Sequence, residues 1–250
     1  MIPTPIRQVL LMIQKYQVQA LLMGGQACVF YGAAQFSKDI DFAIYADDSN
    51  YERLHQALSE LRAERIAVPR FDPGILERGH AIHYRCHAPG VEGLRVDVMT
   101  RMRGVPDFET LWNRRTTLTD ESGTHYDLMA IEDLVRAKKT QREKDWPMIT
   151  ALVEVHYRAL QQQATPERIS FWLRESRTPE RLIDLCQRYP SQAAALESQR
   201  PLLALTRTPD MDALRVALDA EVSAEKALDR AYWEPLRQEL EQFRREERMS

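Results

Sequence analysis

The feature that most constrains this 250-residue chain is an apolar run, Leu21-Leu22-Met23, ending in Gly24-Gly25 and followed after thirteen residues by Asp39-Ile40-Asp41-Phe42. A glycine pair closing a short apolar run marks a tight strand-to-helix turn. The second run opens with two carboxylates one residue apart. Strand side chains repeat with period two, so Asp39 and Asp41 share one face while Ile40, Phe42 and Ile44 share the other. Like charges held side by side add nothing to folding; they make sense around a divalent cation. Hard oxygen donors suit Mg²⁺, which takes one or two carboxylates together with substrate phosphates. The glycines supply backbone that can approach a phosphate, with N–H groups free at the start of a helix.

Leu94-Arg95-Val96-Asp97-Val98-Met99 alternates as a further strand. Leu94, Val96 and Val98 form its apolar face, and Asp97 faces the other way with Arg95 and Met99. Beside the Asp39/Asp41 strand it brings three carboxylates together, enough for two Mg²⁺ ions about 4 Å apart, as used for in-line phosphoryl displacement.

This ordered set resembles the DNA polymerase β-like nucleotidyltransferase superfamily. It is more similar still to the bacterial branch of abortive-infection and toxin-type nucleotidyltransferases. That branch carries a Ser/Thr-x-Asp-Ile-Asp segment, here Ser37-Lys38-Asp39-Ile40-Asp41. It also carries a downstream Glu-Asp-Leu…Lys…Arg-x-Lys-Asp motif, here Glu132, Asp133, Leu134, Lys138, Arg142, Lys144 and Asp145. The resemblance covers roughly residues 18–150. It implies an α/β (α+β) nucleotidyltransferase fold, a mixed sheet flanked by helices and followed by a helical C-terminal region. The implied activity is Mg²⁺-dependent transfer of a nucleoside monophosphate from an NTP to an acceptor hydroxyl, releasing pyrophosphate.

The resemblance also implies roles. Asp39, Asp41 and Asp97 hold the metals, with Asp97 helping to deprotonate the acceptor. Gly24 and Gly25 cradle phosphates, and Gln26 or backbone N–H groups replace the hydroxyl of relatives that have Ser at the second glycine. Ser37 and Lys38 lie beside the first Asp. Lys138 reaches the triphosphate, with Arg142 or Lys144 assisting and Asp145 orienting one of them. Arg114 and Arg115 are weaker candidates for phosphate or acceptor contacts. Toxins of this branch modify tRNA ends or proteins, so a tRNA or other RNA acceptor and a cognate antitoxin are the implied partners. A small-molecule enzyme inactivating an aminoglycoside or lincosamide is the alternative. The non-enzymatic alternative is a nucleotide- or RNA-binding protein keeping only the fold.

Composition narrows these classes. Lys and Arg number 34 against 37 Asp and Glu, a net charge of −3, so no strongly basic field advertises nucleic acid. The three cysteines, Cys28, Cys86 and Cys186, read as reduced thiols rather than a disulfide framework. No charged leader with an apolar core and no apolar run of membrane-spanning length is present, so the expectation is a cytoplasmic protein with no membrane partner. His80, His83, Cys86 and His87 invite a zinc reading, but alternation puts His83 and His87 on one strand face and Cys86 on the other. One of these histidines can face the site beside Asp97. Trp112 and Trp146 read as core.

The remaining pattern places a helix at 3–17, a strand at 19–23, a helix from Gln26 and a strand at 39–45. A helix follows from Asp47-Asp48-Ser49 to Leu61, then strands at 64–67, 81–87 and 94–99 with a loop over 69–79. A helix at 108–114 and a hairpin around Ser122-Gly123 come next. From Ala130 the chain reads as helical, with Lys138 and Arg142 four apart on one helix face. Prolines 147, 166, 179, 190, 201, 209 and 235 punctuate it, leaving 212–228 and 234–247 as the longest segments. The expected division is a nucleotidyltransferase α/β domain at 1–130 and a helical domain at 131–250.

Overall fold

The computed structural model of the protein describes residues 4–121, 123–208 and 210–249. Seven strands form one mixed sheet: β1 (Ala20–Met23), β2 (Asp39–Ile44), β3 (Glu64–Arg65), β4 (Ile82–Arg85), β5 (Arg95–Met99), β6 (Thr116–Thr119) and β7 (His125–Leu128). Their spatial order is β3-β4-β5-β2-β1-β7-β6. The pairs β1/β7 and β2/β5 are parallel and the rest antiparallel. By internal contacts the chain forms two compact units. One holds the residues up to Phe30, Ala34–Ala137 and those from Tyr232; the other holds Tyr31–Ala33 and Lys138–Ala231.

The first unit contains the whole sheet. β1 is an interior strand, between β2 and β7, and is buried at all four positions, which is why its sequence is continuously apolar. Helix α1 (Thr4–Lys15) buries Ile6, Val9, Leu10 and Ile13, a single stripe at helical spacing. Helix α2 (Gly24–Phe30) starts directly at the end of β1. Helix α3 (Asp48–Glu60) is capped by Asp47, whose carboxylate accepts the Asn50 N–H. Asn50 is fully buried; its amide donates to the Gln19 and Tyr45 carbonyls and its Oδ1 accepts from the Gln19 N–H. That one side chain fixes α3 to the ends of β1 and β2.

The region expected as a loop over 69–79 contains a short helix, α4 (Pro73–Glu77), capped by Asp72 with Pro73 in its first turn. Asp-Pro is a helix-start signal, and here it outweighs Gly74. Helices α5 (Phe108–Arg114) and α6 (Ile131–Ala137) complete this unit's short helices. The β6/β7 hairpin pairs as expected; of its turn residues, Ser122 lies outside the described residues and Gly123 has φ +81°. Pro3, in the first expected helix, and Pro209, among the helix-punctuating prolines, also lie outside them.

In the second unit, α7 (Asp145–Leu160), α8 (Pro166–Glu175), α9 (Pro179–Arg188) and α10 (Pro190–Leu196) each except α7 begin at a proline, where its missing N–H costs nothing. Trp172 is fully buried and donates its Nε1–H to His156 Nδ1 at 2.8 Å. Buried Arg200 donates to the Leu173 and Ser176 carbonyls and to Glu221.

Two expectations about helices are corrected. Residues 138–144 are not helical: α6 stops at Ala137 and α7 starts at Asp145. The two C-terminal segments are instead one helix, α11 (Met211–Met249), with Pro235 inside it. Proline removes one backbone hydrogen bond, that to the Ala231 carbonyl. The helix nonetheless continues through Pro235, with Leu236 beside it buried. Among the described residues no helix is long and apolar enough to cross a membrane, and the three cysteines are unbridged.

Candidate active site

The site forms where β2 lies between β1 and β5. β2 and β5 run parallel with Asp39 opposite Arg95 and Asp41 opposite Asp97. Neighbouring strands are about 4.8 Å apart and positions in register point to the same face. Asp39, Asp41, Arg95 and Asp97 are therefore four corners of one patch. Ile40, Phe42, Val96 and Val98, the alternate positions, are buried.

On its other side, Asp41 pairs in register with Met23, the residue before Gly24. Gly24 has φ +66°, and a Cβ built on it would lie 1.9 Å from Asp41 Oδ2. Only glycine satisfies both the left-handed backbone and the carboxylate placed against it. A Cβ on Gly25 would lie 2.6 Å from Ser37 Oγ, and that hydroxyl donates to the Asp39 carbonyl at 3.1 Å. The glycine pair and Ser37 thus lock the start of α2 against the carboxylate strand.

Asp97 is largely enclosed, its side chain 13% exposed. Its Oδ1 accepts from Arg95 Nε at 2.7 Å and lies 2.9 Å from His83 Nδ1. His83 stands opposite Asp97 across the β4/β5 pair. Burial pushes the Asp97 carboxyl up, but hydrogen bonds from His83 and Arg95, and the charge around them, outweigh it and hold it below the usual carboxylate range. The hydrogen bond to Asp97 raises the Arg95 pKa, and Asp39 and Asp41 add to the effect against desolvation. Asp39 and Asp41 are half-buried.

This donor set fits a hard divalent cation: Asp39 and Asp41 present carboxylate oxygens side by side, backed by a rigid central sheet. Among the described residues no group of three or more His, Cys, Asp or Glu is arranged to enclose a metal by itself. Mg²⁺ held by one or two carboxylates, with nucleotide phosphates completing its shell, needs no such group.

The other residues singled out from sequence fall elsewhere. Gln26 is buried, whereas Lys38 is exposed. Lys138, Arg142 and Lys144 belong to the second unit. There Asp145, itself buried, accepts from Lys138 Nζ at 3.2 Å, Thr140 Oγ1 at 2.6 Å and Arg142 Nε at 2.7 Å. Three donors gathered on one carboxylate pull residues 138–144 out of helical geometry. Burial pushes the Asp145 carboxyl up, but the Lys138 charge and the other donors bring it below its ordinary range. Lys144 is exposed.

In the first unit Arg114 donates to buried Asp133 at 2.7 Å, and Arg136 contacts the same oxygen at 3.2 Å. Arg115 bonds Asp127 and stacks over Trp112 at 4.2 Å. Trp112 is only partly buried, whereas Trp146 is buried as expected. The possible zinc ligands are dispersed. His80 is buried against Glu239, His83 lies at Asp97, burial pushes the Cys86 thiol up to about 11, and His87 faces Glu64 at 3.7 Å.

A cavity of about 530 Å³ lined by Leu10, Ile13, Phe42, Arg53, Trp112 and Tyr126 lies away from the carboxylates. Phe42 alternates with Asp41, so the two are on opposite faces of the sheet. Sequence spacing places Arg95 on the carboxylate face but does not show its guanidinium closing on Asp97. That contact needs the β4/β5 register that brings in His83. Compared with family models and with curated proteins, the chain matches none.

Proposed function

We propose that the protein is a divalent-cation-dependent nucleotidyltransferase that moves a nucleoside monophosphate from an NTP to an acceptor hydroxyl. The acceptor oxygen bonds to the α-phosphorus, the bond to the bridging oxygen breaks, and pyrophosphate leaves. The observation that carries this reading is the register match of Asp41 with Asp97 on one sheet face, with Asp39 two residues away and Gly24 against the Asp41 carboxylate.

Asp39 and Asp41 would hold the cation. A Mg²⁺ ion bound there would polarise the phosphoryl group and shield the triphosphate charge. Gly24 keeps Asp41 in place by leaving room for its carboxylate, and Gly25 and Ser37 set the strand beside it. Asp97 is the third basic oxygen donor on the face. Its lowered pKa makes it a weak base, so positioning and charge stabilisation carry most of the rate. Lys138 is buried and paired with Asp145, so it is not placed on the triphosphate.

The test is label transfer. Each α-³²P NTP is incubated with Mg²⁺, the protein and, in separate reactions, total bacterial RNA, a protein extract or an aminoglycoside, beside the Asp39→Asn/Asp41→Asn protein. Label on any acceptor, lost in the double variant, supports the proposal and identifies base and acceptor class. RNA or protein labelling points to the toxin-like role, with a cognate antitoxin as partner; drug labelling points to the resistance-type role. NTP binding without transfer to any acceptor overturns the enzymatic reading in favour of a binding protein of this fold.

A further inference from the structure

The cavity on the other face of the sheet holds a charge that the fold leaves unanswered. It measures about 530 Å³ and is lined by residues of the first unit alone. Pockets for small organic molecules run from about 300 to 1,000 Å³. Its walls are largely apolar: Leu10 and Ile13 from α1, Phe42 from β2, Trp112 from α5 and Tyr126 from β7. The Tyr126 hydroxyl is taken by Asp120, so only the ring is offered to the cavity. A second cavity of about 270 Å³ shares Gln19 and Trp112 with the first and adds the rings of Tyr45 and Phe108.

Arg53, Asp127 and His125 also line the larger cavity. Two of these are answered within the protein. Asp127 accepts from Arg115 Nε at 3.0 Å and from Thr117 Oγ1 at 2.5 Å. His125 Nδ1 lies 2.8 Å from Thr119 Oγ1. Half-buried Arg53 is different. Its Nη1 donates to Ser49 Oγ and its Nη2 to Asn50 Oδ1, both at a long 3.3 Å and both to neutral groups of its own helix. Asn50 Oδ1 already accepts the Gln19 N–H at 2.8 Å. Arg53 Nε is buried and has no hydrogen-bond partner among the described residues. Asp47 feels the Arg53 charge, but its carboxylate is held by the Ser49 hydroxyl and the Asn50 N–H. A guanidinium has five N–H donors, so most of this one is unused by the protein. A shielded donor without an acceptor is costly to keep, and an acceptor that reaches it is favoured accordingly.

We infer that this cavity binds a small organic acid, with its flat apolar body against Trp112 and Tyr126 and its carboxylate on Arg53. A carboxylate brings two acceptors in the geometry that a guanidinium matches, and it brings the missing charge. A neutral molecule of the same shape fills the apolar walls and leaves Arg53 as it was. Phe42 and Asp41 alternate on β2, so this site and the carboxylate patch lie on opposite faces of the sheet. The inference therefore stands apart from the transfer reading.

The probes are cinnamate and cinnamamide, alike in shape and different in charge. Calorimetric titration of the full-length protein should find cinnamate bound at least about ten-fold more tightly than cinnamamide. In Arg53→Gln the two should bind alike, at the weaker affinity. Saturating cinnamate should also shift the indole N–H resonance of Trp112, assigned by its loss in Trp112→Phe. No cinnamate binding to folded wild type up to its solubility limit overturns the inference. Equal binding of acid and amide overturns it too, as does a preference that survives in a folded Arg53→Gln protein or a Trp112 resonance that stays in place. If Arg53→Gln does not fold, as judged by its melting curve, the wild-type preference and the Trp112 shift together decide the matter. Nucleotidyl transfer, present or absent, alters none of these outcomes.

Discussion

Two groups of buried and half-buried carboxylates in this molecule look alike in sequence and differ in physics. In the helical unit, Asp145 accepts from Lys138, Thr140 and Arg142, so the carboxylate has a partner for nearly every lone pair it can offer. On the sheet, Asp39 and Asp41 sit side by side on a half-buried strand face, and the nearby Arg95 is committed to Asp97. A carboxylate surrounded by its own donors holds the chain together. Carboxylates in register on neighbouring strands, half-buried on one face rather than enclosed by donors from the chain just before them, are placed to meet something that arrives. Asp39 and Asp41 belong to the upstream motif and Asp145 to the downstream one, and the sequence marks both as candidate site residues. Only the three-dimensional partners separate structure from chemistry.

The strongest test of that contrast is Asp41→Asn. It keeps shape and removes one charge from the face. Transfer activity should fall by about 10³-fold or more, equivalent to roughly 4 kcal/mol of barrier. The melting temperature should stay within about 2 °C of wild type, since one of several like charges is lost. Calorimetric melting beside the label-transfer assay measures both. Intact activity would sink the assignment of the face, and a collapsed melting temperature would make Asp41 a structural residue like Asp145.

Asp145→Ala should show the reverse pattern. It strands the Lys138 ammonium, whose side chain is 5% exposed, without a counter-charge. Breaking one side of such a pair costs about 3–5 kcal/mol. The expected drop in melting temperature is on the order of 10 °C. Adding Lys138→Met should recover part of it, because the buried charge leaves with its partner. A single Asp145→Ala variant as stable as wild type would show that the carboxylate is not what organises residues 138–144.

The glycine pair offers a finer comparison, two neighbours with unequal demands. Gly24→Ala meets positive φ and Asp41 Oδ2 together, so it should cost about 1–2 kcal/mol in backbone strain and displace the carboxylate, lowering transfer as well. Gly25→Ala meets Ser37 alone, its hydroxyl at 2.6 Å, which can turn away, and its Cβ at 3.1 Å, which must give by a few tenths of an ångström. It should lose less stability and keep most activity. Urea unfolding of the two variants side by side ranks them; equal costs would mean the Asp41 contact is not what requires Gly24.

How much of this was legible in the sequence follows the range of each interaction. Period two is local, and it sorted Asp39, Asp41, Arg95 and Asp97 onto polar strand faces opposite Ile40, Phe42, Val96 and Val98. The pairing of β2 with β5 is long-range. No local rule states that Asp41 lies opposite Asp97 or that His83 reaches it. Residues 138–144, Lys-Lys-Thr-Gln-Arg-Glu-Lys, contain mostly good helix formers, and local propensity favours helix there. The buried Asp145 overrides it, a tertiary contact against a weak local preference. At Asp72-Pro73 the signal was local and present, but the neighbouring Gly74 obscured it. Pro235 shows the opposite case, in which a local breaker does not end the helix and α11 runs through it, with Leu236 beside it buried.

The smallest expected effect compares two buried aspartates with opposite shifts. Burial raises the pKa of Asp133 although Arg114 and Arg136 oppose it, and its Oδ2 is buried with no hydrogen-bond partner. Asp145 is buried too, yet the Lys138 charge and its other donors bring it down. An unfolded Asp titrates at about 3.9. Asp145, lowered in the fold, contributes stability that is complete above that value and is lost as pH falls through its folded pKa. Asp133, raised in the fold, binds its proton more tightly when folded, so its contribution is complete below the unfolded value and is lost as pH rises through its folded pKa. Carboxyl-carbon NMR titration should therefore find Asp145 below about 3.9 and Asp133 above it. Urea unfolding should become easier as pH drops below about 4, with Asp97 adding to the Asp145 loss. If Asp133 titrates below Asp145, its Oδ2 has a donor in solution, and the difference drawn between a fully partnered and a partly partnered carboxylate no longer holds for this pair.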